Sequence, residues 1–201
     1  QVIHWGVDTE MFHPSGEAKD TETNQILAVG RLAARKGYGS LLRAFAQVNQ
    51  KNPETKLLIV GRGSLKKRLV IQARRLGISS SVRIDSGMPF DKLAEEFRNA
   101  DLVVYPSYYE GQGLIPLEAM ASGTPVATVN HGPLPEMVDD SVGALFTMAD
   151  TDSMSSAILG LLDNPEGLVT RGATGRERVL KNFTFGQNAE DFSQIYSQLV
   201  N

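Results

Sequence analysis

Short apolar runs alternate with amphipathic stretches along most of this chain, and no other feature constrains its fold as much. The stretches between the runs place apolar residues at helical spacing, as in residues 41–48. Short apolar strands separated by amphipathic helices are typical of a parallel sheet covered on both faces. We therefore predict an α/β fold with a parallel sheet of about six strands and helices on both faces. The predicted strands are Ile26–Val29, Leu57–Val60, Val82–Ile84, Leu102–Tyr105, Pro125–Thr128 and Ala144–Phe146.

Residues that cap or break helices mark where the predicted helices begin and end. Ser64 is predicted to cap a helix whose apolar face includes Leu65 and Leu69. Asp150 precedes another helical stretch and is predicted to cap it. Further helices are predicted at Phe90–Phe97, at Thr151–Leu162 with Asn164-Pro165 as the stop, and as a pair near the end of the chain with a break at Phe185-Gly186.

The size and composition of the chain limit what it can be. Its 201 residues suffice for one well-buried domain and are too few for two α/β domains of usual size. Cysteine is absent, which excludes disulfides and thiolate metal sites. The formal net charge of −3 gives no reason to expect nucleic-acid binding, and no apolar run approaches the roughly 18 residues of a membrane span. We expect residues 1–24 to be a linker and a loop that lead into a single domain at residues 25–201.

Glycines and charged residues follow the first four predicted strands. In parallel sheets of this kind, ligands bind beyond the carboxyl ends of the strands, so residues that follow the strands are expected to line one edge. The topology therefore predicts one binding site built from four separate loops. Its residues are Arg31 and Lys36 after the first strand, Gly61 and Gly63 after the second, Gly87 and Met88 after the third, and Glu110 after the fourth.

The segment from Tyr105 to Val129 carries two carboxylates around a glycine-rich turn. Glu110 lies on the turn, and Glu118 lies in the helix predicted after it. Glycines let the backbone approach a ligand closely, and the free N–H groups at a helix start favour an anion. Because carboxylates repel phosphate, they are better suited to the hydroxyl groups of a sugar or a ribose. The combination suggests that the ligand is a sugar nucleotide.

This segment resembles the E-x7-E signature of retaining glycosyltransferases of family 4, which have the two-domain GT-B architecture. The usual pattern is Glu-Gly-Phe-Gly-Leu, then Leu-Glu-Ala-Met-Ala, and here Gln112 stands in place of the common Phe. Residues 29–32 with Lys36-Gly37 resemble the phosphate-binding segment of the family, and residues 2–8 with Phe12-x-Pro14 resemble its interdomain linker. The resemblance implies a Rossmann-like, donor-binding C-terminal half of a GT-B enzyme, without the N-terminal acceptor domain.

The resemblance also implies a role for each matching residue. Arg31 and Lys36 are expected to neutralise the diphosphate of a nucleoside diphosphate sugar, and both are expected to act in catalysis with Glu110, which contacts the transferred sugar. Glu118 is expected to hold the ribose hydroxyls. No metal or other cofactor is expected, since Asp150-Thr151-Asp152, formally a D-x-D, is better explained as a helix cap. The full set of predicted donor-binding residues is Gly30, Arg31, Lys36, Gly61, Gly87, Met88, Glu110, Gly111, Gln112, Gly113, Leu114, Ile115 and Glu118.

The reaction that the resemblance implies is sugar transfer, with retention, to a carbohydrate or other hydroxyl acceptor held by the N-terminal domain. We expect a cytoplasmic protein, because sugar nucleotides are mostly handled there, with peripheral membrane contact through that domain left open. Two alternatives also stay open: a non-catalytic nucleotide-binding module, and a glycoside hydrolase that uses Glu110 and Glu118. In a retaining hydrolase the two carboxylates stand about 5–5.5 Å apart. A neutral leaving sugar would not need Arg31 and Lys36, which disfavours the hydrolase.

Overall fold

The protein forms a six-stranded, wholly parallel sheet with helices packed against it. The structure, a computed structural model, describes residues 3–16 and 23–200. The strands are β1 (Gln25–Val29), β2 (Lys56–Val60), β3 (Val82–Asp85), β4 (Leu102–Tyr105), β5 (Val126–Val129) and β6 (Gly143–Phe146). The sheet order is β3-β2-β1-β4-β5-β6 with every pairing parallel, which confirms the predicted parallel α/β fold.

Helices cover both faces of the sheet, because the chain moves outward from its centre in two directions. The strand order runs one way from β1 to β3 and the other way from β4 to β6, and right-handed crossovers then place the connecting helices on opposite faces. The helices are α1 (Tyr38–Lys51), α2 (Lys66–Arg75), α3 (Phe90–Asn99), α4 (Leu114–Ala121), α5 (Leu134–Met137), α6 (Thr151–Leu162), α7 (Pro165–Asn182) and α8 (Phe185–Val200). Accordingly α1, α2 and α6 lie together on one face, α3 and α4 on the other, and α7 contacts both α4 and α6.

The central strands are buried on both faces, which explains why they read as continuous apolar runs rather than alternating ones. Every residue of β4 and β5 is buried, whereas the edge strand β3 has only partly buried or exposed residues. Val7 and Phe12, from the region predicted as a linker, also belong to the buried core. Residues 1, 2 and 17–22 of that region lie outside the described residues. None of the described helices is long and apolar enough to cross a membrane.

The prediction for Ser64 is wrong. The helix begins at Lys66, and no side chain caps it. Its first turn is held instead by the backbone, since Leu65 N–H donates to Leu32 O and Lys66 N–H donates to Gly63 O. Two short elements were not predicted, namely α5 and a 3₁₀ helix at Ala34–Lys36, because single turns are too short to show a periodic pattern.

Most other helix boundaries match their predicted signals. Asp150 accepts hydrogen bonds from the N–H groups of Asp152 and Ser153, which confirms it as a cap. The helix that it caps ends at Leu162, and Asn164 then caps α7. The predicted break near Phe185 separates α7 from α8.

Candidate functional site

The loops that follow β1, β2 and β3 are tied together by backbone hydrogen bonds at the carboxyl edge of the sheet. Gly30 N–H donates to Val60 O, and Gly61 N–H donates to Asp85 O, at 3.0 and 2.9 Å. Leu32 N–H donates to Arg62 O one step further along. The predicted site residues Gly30 and Gly61 therefore lie in one connected backbone layer, as the topology required.

Three side chains, from the loop after β1, the end of β4 and the turn after β4, meet in a compact polar cluster. Lys36 is on the 3₁₀ helix after β1, Tyr105 ends β4, and Glu110 lies on the turn that follows. The Lys36 ammonium contacts Glu110 Oε1 directly and lies 3.1 Å from the Tyr105 hydroxyl, which donates to the same Oε1 at 2.7 Å. The side chains of Lys36 and Glu110 are only 14% and 13% exposed. The cluster thus pairs its own cation with its own carboxylate.

The cluster keeps Glu110 ionised. Burial by itself raises the pKa of Glu110, but hydrogen bonds from Lys36, Ser107 and Tyr105, with the Lys36 charge, outweigh burial and lower it below its usual value. Burial and the Glu110 carboxylate both raise the pKa of Tyr105, so its hydroxyl keeps its proton and remains a donor. Glu110 is therefore a hydrogen-bond acceptor with a full negative charge.

Glu118 has the opposite surroundings. It lies in α4, largely buried, and its Oε2 has no hydrogen-bond partner in the part of the chain that the structure describes. Burial raises the pKa of Glu118 to about 7. Because nearly all buried polar atoms in proteins are hydrogen-bonded, an oxygen left without a partner calls for a donor from outside the chain.

The start of α4 supplies backbone donors beside these carboxylates. Gly113 precedes the helix with φ +96°, a conformation that side chains with a Cβ rarely adopt, and a Cβ there would lie 2.8 Å from Leu134. The first amides of an α-helix have no intrahelical acceptor, and at α4 the cap residue supplies no side-chain acceptor to replace it. Leu114 and Ile115 open the helix and lie at the surface or partly buried, where a ligand can reach their backbone.

Gln112 lies on the same turn but its side chain binds elsewhere in the protein. Its Oε1 accepts from Trp5 N–H at 2.6 Å, and its Nε2 donates to Trp5 O at 2.9 Å. The departure from the usual family pattern noted in the sequence is thus the point at which residue 5 is attached to the turn. Sequence reasoning did not find this contact, since nothing local links positions so far apart.

The remaining predicted residues lie on the same edge, and their side chains make few contacts with the rest of the protein. Arg31 is exposed, and its side chain makes no hydrogen bond or ion pair with any residue that the structure describes. Gly87 has φ +100° and follows Ser86, whose carbonyl accepts from Arg62 Nε at 2.8 Å, and Met88 is partly buried against the core. Gly111 is exposed beside Glu110.

The opposite edge of the sheet carries a separate cleft. A cavity of about 520 Å³ is lined there by residues at the starts of β1, β2 and β3, including Gln25, Lys56 and Arg83. None of the predicted site residues lines it.

Among the described residues, no three His, Asp or Glu side chains are grouped so that they could hold a metal ion. The two Asp of the D-x-D are at the start of α6, where Asp150 is a cap.

The sequence model of the family described as "Glycosyl transferases group 1" matches residues 10–178 of the chain. The chain belongs to this glycosyltransferase family. It is 30% identical over 196 residues to a glycogen synthase of Mycobacterium tuberculosis, an alignment that covers 97% of this chain and 47% of that protein. It is 36% identical over 186 residues to a D-inositol 3-phosphate glycosyltransferase of Segniliparus rotundus, with 87% and 41% covered. This glycosyltransferase chain spans about half the length of the curated relatives it matches.

Solved structures show the same architecture. Sucrose-phosphate synthase from Thermosynechococcus elongatus superposes with a TM-score of 0.90 at 31% identity, over 100% of this chain and 52% of that one. The C-terminal domain of a group 1 glycosyl transferase from Francisella tularensis superposes with a TM-score of 0.80 at 25% identity, over 90% of this chain and all of that one. The glycosyltransferase chain therefore has the fold and the size of a GT-B C-terminal domain.

Proposed function

We propose that the chain is the donor-binding domain of a retaining glycosyltransferase that takes its sugar from a nucleoside diphosphate sugar. The observation that carries the proposal is the buried Oε2 of Glu118, which has no hydrogen-bond partner among the described residues and belongs to α4, the helix that follows the turn carrying Glu110. A ribose offers hydroxyl donors to that oxygen, and a diphosphate offers anionic oxygens to the cations and amides.

Lys36 and Arg31 bind the diphosphate in this proposal. The Arg31 guanidinium is free to do so, since it has no partner among the described residues, and its planar fork matches phosphate oxygens. Lys36 exchanges part of its contact with Glu110 for the phosphate, and Glu110 then accepts from a hydroxyl of the transferred sugar. These side chains supply the charge that stabilises the leaving diphosphate as the glycosidic bond breaks, and the proposal needs no metal ion.

The acceptor binds mainly to a second domain in this proposal. The curated relatives are about twice the length of this chain, so half of a two-domain cleft would come from outside it. We expect the chain by itself to bind nucleotide and to transfer little or no sugar. Among the relatives, one is named as a glycogen synthase and another as a GDP-mannose-dependent mannosyltransferase, so the identity of the base is an outcome of the test below.

The test is a calorimetric titration of this chain with UDP, GDP and ADP, repeated on Glu118→Ala and Arg31→Ala. One nucleotide should bind preferentially, and both variants should lose at least about tenfold in affinity, since hydrogen bonds to charged groups contribute roughly 1.5–3 kcal/mol each. Glu54→Ala and Arg98→Ala are matched controls that lie away from the site. Equal binding by the site variants and the controls would contradict the assignment, and hydrolysis of simple glycosides would favour a hydrolase.

A further inference from the structure

The turn that carries Glu110 is attached to a segment distant in sequence through the side chain of Gln112. Both polar atoms of the Gln112 amide are used on one residue, with Oε1 accepting from Trp5 N–H at 2.6 Å and Nε2 donating to Trp5 O at 2.9 Å. Residues on both sides of Gln112 are glycines, which restrict the backbone least of all residues. The hydrogen bonds of the Gln112 side chain therefore restrict the conformation of the turn, which the flanking glycines by themselves do not.

Gln112 is hydrogen-bonded to the segment of residues 4–7, and this segment is itself fixed to the rest of the domain. His4 O accepts from Asn188 Nδ2 at 2.6 Å, and Val7 N–H donates to Phe183 O at 2.8 Å. Gly6 passes so close to Thr184 that a Cβ on it would lie 2.4 Å from the Thr184 carbonyl carbon. The segment is thus anchored at the junction of α7 and α8, and Gln112 extends that anchor to the turn.

We propose that Gln112 is a positioning residue that holds the Gly111–Gly113 turn, and with it Glu110, in the geometry that receives the transferred sugar. The inference rests on the proposed donor-binding function and assigns to residues 4–7 a part in the donor site. Without the Gln112 amide, the turn has to be ordered when the sugar binds, and that ordering reduces affinity. In the proposed function the nucleoside diphosphate contacts Lys36, Arg31, Glu118 and the first amides of α4, none of which makes a hydrogen bond with the Gln112 side chain.

The inference therefore predicts a change in one affinity and not in another. Gln112→Met keeps the length of the side chain and removes both hydrogen bonds. The ligand is the nucleoside diphosphate glucose that carries the preferred base, called the sugar ester below. Its affinity should fall about five- to thirtyfold in Gln112→Met, since two neutral hydrogen bonds are lost. Affinity for the nucleoside diphosphate alone should stay within about twofold.

The experiment measures both affinities by calorimetry on wild type, Gln112→Met and Gln47→Met. Gln47 is the matched control, since its amide also makes two side-chain hydrogen bonds, to Asp152 and Ser155 of α6, and contacts none of the proposed donor-binding residues. Hydrogen exchange at the Trp5 amide, followed by NMR, should accelerate in Gln112→Met and stay unchanged in Gln47→Met.

The outcomes separate this inference from the proposed function. If wild type binds the nucleoside diphosphate and Gln112→Met loses affinity for the diphosphate and its sugar ester equally, Gln112 only supports the fold and the inference is wrong. If Gln112→Met and Gln47→Met bind the sugar ester alike, it is also wrong, while the proposed function stands. If wild type binds neither ligand, the proposed function fails and the inference fails with it.

Discussion

Glu110 and Glu118 are eight positions apart in sequence and lie in opposite electrostatic states. Glu110 accepts from Lys36 and Tyr105, and its pKa is held below the usual value. Glu118 has an oxygen without a partner among the described residues, and its pKa is raised to about 7. One carboxylate has all the partners it needs before any ligand arrives, and the other lacks them.

The difference indicates two ways of preparing a site. At Glu110 the charge is stabilised in advance, so a ligand has to exchange with Lys36 rather than create a new ion pair. At Glu118 an acceptor is held in a low-dielectric position, where a hydrogen bond from a ligand hydroxyl is stronger than in water. We expect the first arrangement to respond to loss of a cation and the second to respond to pH.

Removal of the Lys36 charge should have the largest effect. In Lys36→Met, affinity for the preferred nucleoside diphosphate should fall about ten- to a hundredfold, because a charge-assisted contact to phosphate contributes roughly 1.5–3 kcal/mol. Calorimetry measures this change directly. Lys92→Met is the matched control, since Lys92 pairs with Glu95 on the exposed surface. Equal affinities in the two variants would show that Lys36 serves only Glu110.

The pH dependence of stability should change next most in Glu118→Gln. The pKa of Glu118 is raised in the folded state, so the protonated acid is favoured on folding, and that stabilisation is lost as pH rises through about 7. Glutamine has no charge to bury, so the variant should gain stability relative to wild type between pH 5.5 and 8.5, by on the order of 2 kcal/mol. Urea denaturation at the two pH values measures the gain. A pH-independent difference between the two proteins would contradict the raised pKa.

The smallest expected change sharpens the description of the Glu110 side. In Tyr105→Phe, Glu110 loses a donor at 2.7 Å, and the buried strand end keeps its ring. Stability at pH 7 should fall by about 1 kcal/mol, the usual contribution of one hydrogen bond, and the midpoint of acid unfolding should move to higher pH as Glu110 becomes easier to protonate. Tyr109→Phe is the control, since Tyr109 is 70% exposed. Equal stability of the two variants would show that Tyr105 does not support Glu110.

The sequence allowed the sheet and the edge of the site to be predicted, because both depend on local patterns. Apolar runs defined the strands, and the residues directly after them, such as Arg31 and Glu110, were placed on one edge by topology. The pairing of Lys36 with Glu110 could not be foreseen, since it depends on how two distant loops fold over each other. Tyr105 was predicted only as the last residue of a strand, although that position already placed its side chain at the edge of the site.

Local sequence patterns also failed where backbone hydrogen bonds or a residue distant in sequence determine the structure. Ser64 has the chemistry of a cap, but the backbone of Leu32 and Gly63 fixes the start of α2 instead. Gln112 differed from the usual family pattern, and only the three-dimensional structure showed that its partner is Trp5. The individual roles assigned to the donor-binding residues stay predictions until ligand is added.

The strand order has a consequence for how this protein folds. Strands β1, β2 and β3 pair with near neighbours in sequence, and so do β4, β5 and β6, whereas β1 and β4 join the two halves across a long stretch of chain. Because pairings with greater sequence separation cost more loop-closure entropy, we expect the β1–β4 seam to close last. Lys36 follows β1 and Glu110 follows β4, so their ion pair spans that seam. The site is then completed by the final docking step of folding, and a ligand that bridges it holds the two halves of the sheet together.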